Sequence, residues 1–351
     1  VGADSNIAIG EDAMGTGTTT DATFNTAVGY KSLEDITAGD YNTGIGAHSI
    51  ASLTDGQANI GVGYATGYTN VSGDFNTAVG HIALYQNATH NNTAVGYSAG
   101  YFTQGADNTY VGYFAGKGAA GAEANNVGVG SNALLAVTTG SSNISIGKDS
   151  SKTLTIGRYN VAIGTNSLYT EDIGDRSVAI GENALYSQNS DSNNETAANT
   201  AVGFSAGHTN VTGTNNTYLG YNSGYGGTGS NSNNVGVGSS ALLAITTGAR
   251  NVAVGTNALN DLTTNSIDAS NGNTAIGYNA AAKIQTGASN VAIGTATLDN
   301  AAGAISECTI VGTRAGAAIN NTAANGSTLS GYYGGTAITS GAGNTAIGYN
   351  S

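Results

Sequence analysis

The sequence has no proline and no tryptophan, one cysteine, one methionine and only 9% charged residues. Each absence excludes something. Without proline every backbone N–H is free to donate, as a stack of paired strands requires. One thiol, Cys308, leaves no disulfide, and four histidines show no zinc-ligand spacing. No apolar run reaches the roughly 18 residues that a membrane-spanning helix needs. Nine basic against 22 acidic residues, a net charge of −13, disfavour a nucleic-acid partner, because such binding rests on Lys and Arg neutralising phosphates. The chain opens on Val1 with no signal peptide, so it reads as processed or cut from something longer.

What is abundant is glycine, 55 residues, and a pentapeptide that ends on it. It reads Asn25-Thr-Ala-Val-Gly29, Asn76-Thr-Ala-Val-Gly80, Asn160-Val-Ala-Ile-Gly164, Asn251-Val-Ala-Val-Gly255, Asn290-Val-Ala-Ile-Gly294 and Asn344-Thr-Ala-Ile-Gly348. Looser copies fill the gaps at a nearly constant step, as from Gly29 to Gly46, Gly63 and Gly80. A short period along a whole chain is the mark of a solenoid. Regular Val and Ile positions with little charge argue against disorder, and the glycine density penalises helices. The expected fold is all-β: a parallel β-solenoid of about 20 rungs, roughly 95 Å long. It is read as one continuous repeat domain, 1–351. Rungs at about 92–147 return at about 199–255, where Gly220, Gly238 and Gly255 match Gly112, Gly130 and Gly147. The stretch 313–341 is the most degenerate. Insertions near 187–198 and 261–272 lengthen single turns.

Within a rung, the residues one and three before the glycine share a strand face. Being aliphatic or β-branched, they are expected inside. The small residue between them then points out. Ala78, Ala94, Ala162, Ala179, Ala201, Ala253 and Ala292 form a flat face on which another chain can dock, and a narrow roll with little core favours a homo-oligomer. Four residues before the glycine stands a column of Asn: Asn25, Asn42, Asn59, Asn76, Asn92, Asn108, Asn126, Asn143, Asn160, Asn199, Asn216, Asn234, Asn251, Asn290 and Asn344, broken by Ser177 and Cys308. Stacked amides bond to the rungs above and below. The column reads as a register-setting ladder or, alternatively, as an exposed recognition strip. One residue after the glycine, aromatics cluster: Tyr30, Tyr64, Tyr97, Tyr113, Phe204, Tyr221, Tyr278 and Tyr349. They either pack along an edge or form a platform for sugars or matrix proteins.

Ser177-Val-Ala-Ile-Gly-Glu-Asn-Ala-Leu185 and Asn160-Val-Ala-Ile-Gly-Thr-Asn-Ser-Leu168 resemble the YadA-like (Hep_Hag) head repeats of trimeric autotransporter adhesins, and similar repeats occur in phage tail fibres. The resemblance spans Asn6 to Tyr349. It implies a left-handed parallel β-roll, a trimer, and adhesion to host or matrix surfaces. It carries no binding residue across, since the motif is structural.

Several motifs invite chemistry. Gly96-Tyr-Ser98-Ala-Gly100 and Gly203-Phe-Ser205-Ala-Gly207 match a nucleophile elbow without its strand–turn–helix context. Gly128-Val-Gly130-Ser-Asn-Ala133 mimics a dinucleotide fingerprint without a βαβ unit. Glu171-Asp172 with Asp175, or Asp191 with Glu195, present carboxylates for Ca²⁺, but the calcium-roll repeat is missing. No other cofactor is expected. The sequons Asn70-Val-Ser72 and Asn210-Val-Thr212 follow from composition.

The expected function is a non-enzymatic, extracellular or cell-surface structural or adhesive fibre, assembling laterally or end to end through uncapped termini. Its expected partners are itself and a glycan, matrix protein or cell-surface receptor. A receptor-binding phage tail fibre shaft is the alternative. Ice binding, which needs a regular Thr-x-Thr rank, stands lower because Thr is irregular and often read as inward.

Overall fold

The computed structural model describes residues 5–15, 21–87, 89–119, 121–191, 196–226, 231–263, 272–300, 304–320 and 322–351. The repeat runs through two compact units, residues 1–174 and 175–351. Among the described residues each holds ten three-residue strands, from Ile7–Ile9 to Val161–Ile163 and from Val178–Ile180 to Thr345–Ile347. Within a unit, each strand pairs in parallel with the strand one turn later, always in register. Ala78 sits opposite Ala94 and Ala94 opposite Tyr110; Ala201 sits opposite Tyr218. The chain is an all-β parallel β-solenoid with a repeat of about 17 residues. The one helical turn among the described residues, Thr322–Ala324, lies in the degenerate stretch. Both lengthened turns fall partly outside the described residues.

The motif glycine has two jobs. Its φ lies between 126° and 139° in every rung, a region closed to L side chains. Its α-carbon also faces the next rung's backbone. A Cβ on Gly63 would stand 2.0 Å from the carbonyl oxygen of Gly80. Glycine therefore sets both the bend and the rung spacing.

The strand alternation is the reverse of the sequence expectation. The small central residue is buried, and its two β-branched neighbours face out. Ala94, Ala162, Ala179, Ala201, Ala253 and Ala292 are fully buried and Ala78 nearly so, so they form no assembly face. Thr93 and Val95, on either side of Ala94, are partly or largely exposed. The reason is space. Several turns already send aliphatic side chains inward four and seven residues after the glycine, as Leu33 with Ile36, Leu134 with Val137 and Leu242 with Ile245. Across from the strand a Ser, Ala or Thr closes the gap; Ser32 Oγ donates to the Gly44 carbonyl at 2.8 Å. A Cβ on Gly61 would lie 2.5 Å from Ser49 Oγ and 2.6 Å from Ile50 Cγ1. Two more branched side chains per rung do not fit a coil this thin.

The exceptions follow the same volume rule. Where the strand centre is large, the leucine position four after the glycine becomes glycine: Tyr110 with Gly116, Tyr218 with Gly224, Ile310 with Gly316, Leu329 with Gly335. A Cβ on Gly116 would lie 2.2 Å from the Tyr110 ring, and one on Gly224 would lie 2.3 Å from that of Tyr218.

Candidate functional site

The Asn column is interior. Asn42 accepts from the backbone N–H and Nδ2 of Asn59 at 2.9 and 3.0 Å, and its own Nδ2 donates to Asn25 Oδ1 and to the Gly56 carbonyl at 3.1 and 2.8 Å. The same contacts recur from rung to rung, and Asn6 and Asn273 belong to the column too. These amides satisfy strand-entry N–H and turn C=O groups that are sealed from water. Being buried, they form no exposed recognition strip. Asn344, in the last rung, is only partly buried. At Ser177 the gap is filled by Gln188, which donates to Ser177 Oγ and accepts from Asn199 Nδ2, both at 2.9 Å. Cys308 keeps the backbone link, its N–H donating to Asn290 Oδ1 at 3.1 Å, and its thiol donates at 3.5 Å to the Ser306 and Ala324 carbonyls in place of an amide. Burial pushes its thiol pKa up, the opposite of an activated nucleophile.

Two surfaces among the described residues suit recognition. The first is the outward strand face. Its forty positions, two per strand, are Thr, Val or Ile except for Leu219 and Ser330, and none is charged. Ile45, Ile60, Val95, Ile144, Ile146, Leu219, Ile276, Ile293 and Val311 are all exposed. Ten strands at about 4.8 Å make each unit's face roughly 43 Å tall. Two side chains wide, it is on the order of 300 Å², the size of the largest and often functional apolar patch on an ordinary monomer.

The second is aromatic. All eight residues of the row after the glycine are exposed. Tyr97 and Tyr113 stack at 5.5 Å, as do Phe204 and Tyr221. His81 completes the stack between Tyr64 and Tyr97, at 5.1 and 5.2 Å. A second row, missed in the sequence, stands five residues after the glycine. Tyr68, Tyr85 and Tyr101 stack at 5.2 and 5.0 Å, and Tyr186, His208 and Tyr225 at 5.1 and 4.9 Å. The constant offset from Gly63, Gly80, Gly96, Gly181, Gly203 and Gly220 was the available signal. Between the two rows lies a cleft of about 310 Å³, lined by His48, Ala65 and Ile82 as well as the tyrosine rings. That volume is at the lower end of small-ligand sites.

No protein-family model, curated protein or solved structure matches the chain.

The remaining sequence candidates resolve into structural roles. Ser98 and Ser205 are buried turn residues with φ near 50°. His208 is sandwiched between Tyr186 and Tyr225, and burial lowers its pKa. Gly128 lies in the strand Val127–Val129, with no helix after it. Glu171 is buried, and its Oε1 accepts from the N–H groups of Gly174 and Ile173 at 2.7 and 3.2 Å. Among the described residues no cluster of three or more His, Cys, Asp or Glu could hold a metal ion. Glu195 lies outside the described residues. Asn70 and Asn210 are buried and donate to the carbonyls of Gly73 and Gly213 at 3.1 and 3.0 Å, so neither sequon is accessible in the folded chain. Among the described residues no helix is long and apolar enough to cross a membrane.

One buried acid stands out. Glu123 is 1% exposed, and its Oε2 meets no hydrogen-bond partner among the described residues. Burial raises its pKa from 4.5 to about 8. The folded chain thus holds a proton that the unfolded chain has lost. Stability from this group is complete below pH 4.5 and is lost as pH rises to about 8. Across that window the slope reaches about 1.4 kcal/mol per pH unit. Thermal melts of the wild type should therefore fall from pH 5 to 8, and Glu123→Gln should flatten the profile. An unchanged slope in the variant would refute this assignment.

Proposed function

We propose that the chain is a non-enzymatic, extracellular structural or adhesive fibre module that associates laterally with copies of itself through the outward strand face. The carrying observation is that forty outward positions hold no charge on a chain of net charge −13. A surface that otherwise repels its neighbours leaves on each unit a β-branched band on which copies can meet and exclude water. The aromatic cleft is the place for an external ligand in the adhesive role.

The test is the assembly state. Sedimentation of the wild type should give an oligomer. Ile45→Lys with Val95→Lys should shift it to single chains while the β circular dichroism persists. A wild type that stays monomeric at every concentration, or a variant that assembles as before, removes the proposal.

A second reading draws on the corrected strand direction. Thr26, Thr43, Thr77, Thr93 and Thr109 face outward at one strand position, with Ile60 in their midst and Val or Ile two residues on, a single outward Thr rank that favours ice binding over the inward reading. Absence of thermal hysteresis in the same preparation would dispose of it.

A further inference from the structure

We propose that the stacked tyrosines of the first unit are a site of oxidative cross-linking, at which Tyr85 couples to Tyr68 or Tyr101 as dityrosine and staples adjacent turns together. Three observations carry it. Tyr68 and Tyr85 stack at 5.2 Å with 6° between their planes, and Tyr85 and Tyr101 at 5.0 Å with 11°. Their rings line an open cleft, within reach of a diffusing oxidant. The chain also lacks the side chains that usually intercept oxidation: it has no tryptophan, one methionine and one cysteine, and that cysteine is buried, against 19 tyrosines.

The chemistry balances with a one-electron oxidant of the haem peroxidase class, with hydrogen peroxide as terminal acceptor. Each phenol gives one electron to the oxidant and its hydroxyl proton to solvent. The two phenoxyl radicals join through carbons ortho to oxygen. The hydrogens on those carbons move to the two oxygens as the rings regain aromaticity. Overall, two phenols and one hydrogen peroxide give one dityrosine and two waters, and the protein loses two hydrogens. A radical on Tyr85 has a partner held on either face, so coupling needs no encounter between chains. The register of the parallel turns supplies that proximity. Burial and the neighbouring tyrosines raise the pKa of the Tyr85 phenol, so at neutral pH its proton leaves together with the electron.

The new bond would close a loop one turn long, from Tyr68 to Tyr85 or from Tyr85 to Tyr101, restricting the unfolded chain as a disulfide does. The experiment treats the whole chain with a haem peroxidase and limiting hydrogen peroxide, then cleaves before aspartate. Asp74 separates Tyr68 from Tyr85, and Asp107 separates Tyr97 from Tyr113. The expected product has the mass of one chain less two hydrogens, blue dityrosine fluorescence, a raised melting temperature, and either a link between the peptides holding Tyr68 and Tyr85 or a peptide 74–106 two hydrogens light, joined internally from Tyr85 to Tyr101. Tyr85→Phe keeps the ring stack but should abolish either link, while leaving any Tyr97–Tyr113 link unchanged. Absence of dityrosine in the wild type overturns the proposal. So does persistence of dityrosine on the Tyr68 peptide in Tyr85→Phe at the wild-type yield, or linkage mainly between chains.

Discussion

Gly63→Ala is expected to be among the most damaging single substitutions in the chain, costing about 4 kcal/mol or more. The new methyl would lie 2.0 Å from the Gly80 oxygen and 2.7 Å from its carbonyl carbon, at a φ of 136°. The obstacle is backbone that is itself hydrogen-bonded in the ladder, so neither rung can yield. Gly67→Ala makes the comparison. Its φ is 54°, and a Cβ there meets only Ile50, at 3.9 Å. That change should cost about 1 kcal/mol, the ordinary penalty of the left-handed region. Urea unfolding of the two variants reads the difference directly. Similar midpoints would show that rung spacing does not depend on the motif glycine.

The second large effect is expected at Asn126→Ala. Asn126 Nδ2 donates to the Gly140 carbonyl at 2.9 Å, and its Oδ1 accepts from the Asn143 N–H at 3.0 Å. Truncation strands both groups in a site closed to water, each at about 1–3 kcal/mol, for roughly 2–6 kcal/mol in all. Asn132→Ala removes one bond to Asp149, at 2.9 Å, on a half-buried turn. It should change stability by about 0.5 kcal/mol or less. Equal losses in the two variants would mean that the column does not hold the rungs together.

Much of this fold was legible because its constraints are local and recur. A glycine once in every rung, with Asn four before it, states the period, the strand and the bend without reference to distant contacts. The exchange of leucine for glycine opposite Tyr110 and Tyr218 was also readable, as Thr109-Tyr-Val111 followed by Gly116 and Thr217-Tyr-Leu219 followed by Gly224. So was the second aromatic row, had the fifth position after each glycine been tracked.

What the sequence by itself determined is periodicity: repeat length, strand position, the stacking of like residues, and the absence of long helices. What only the tertiary structure decided is direction. Alternation along a three-residue strand tells which side chains share a face, but not which face is inside. That choice depends on how much of the interior the turn residues, such as Leu134 and Val137, have already filled. Because they fill it, the alanines turn inward, and the β-branched rows become the surface on which the proposed function rests.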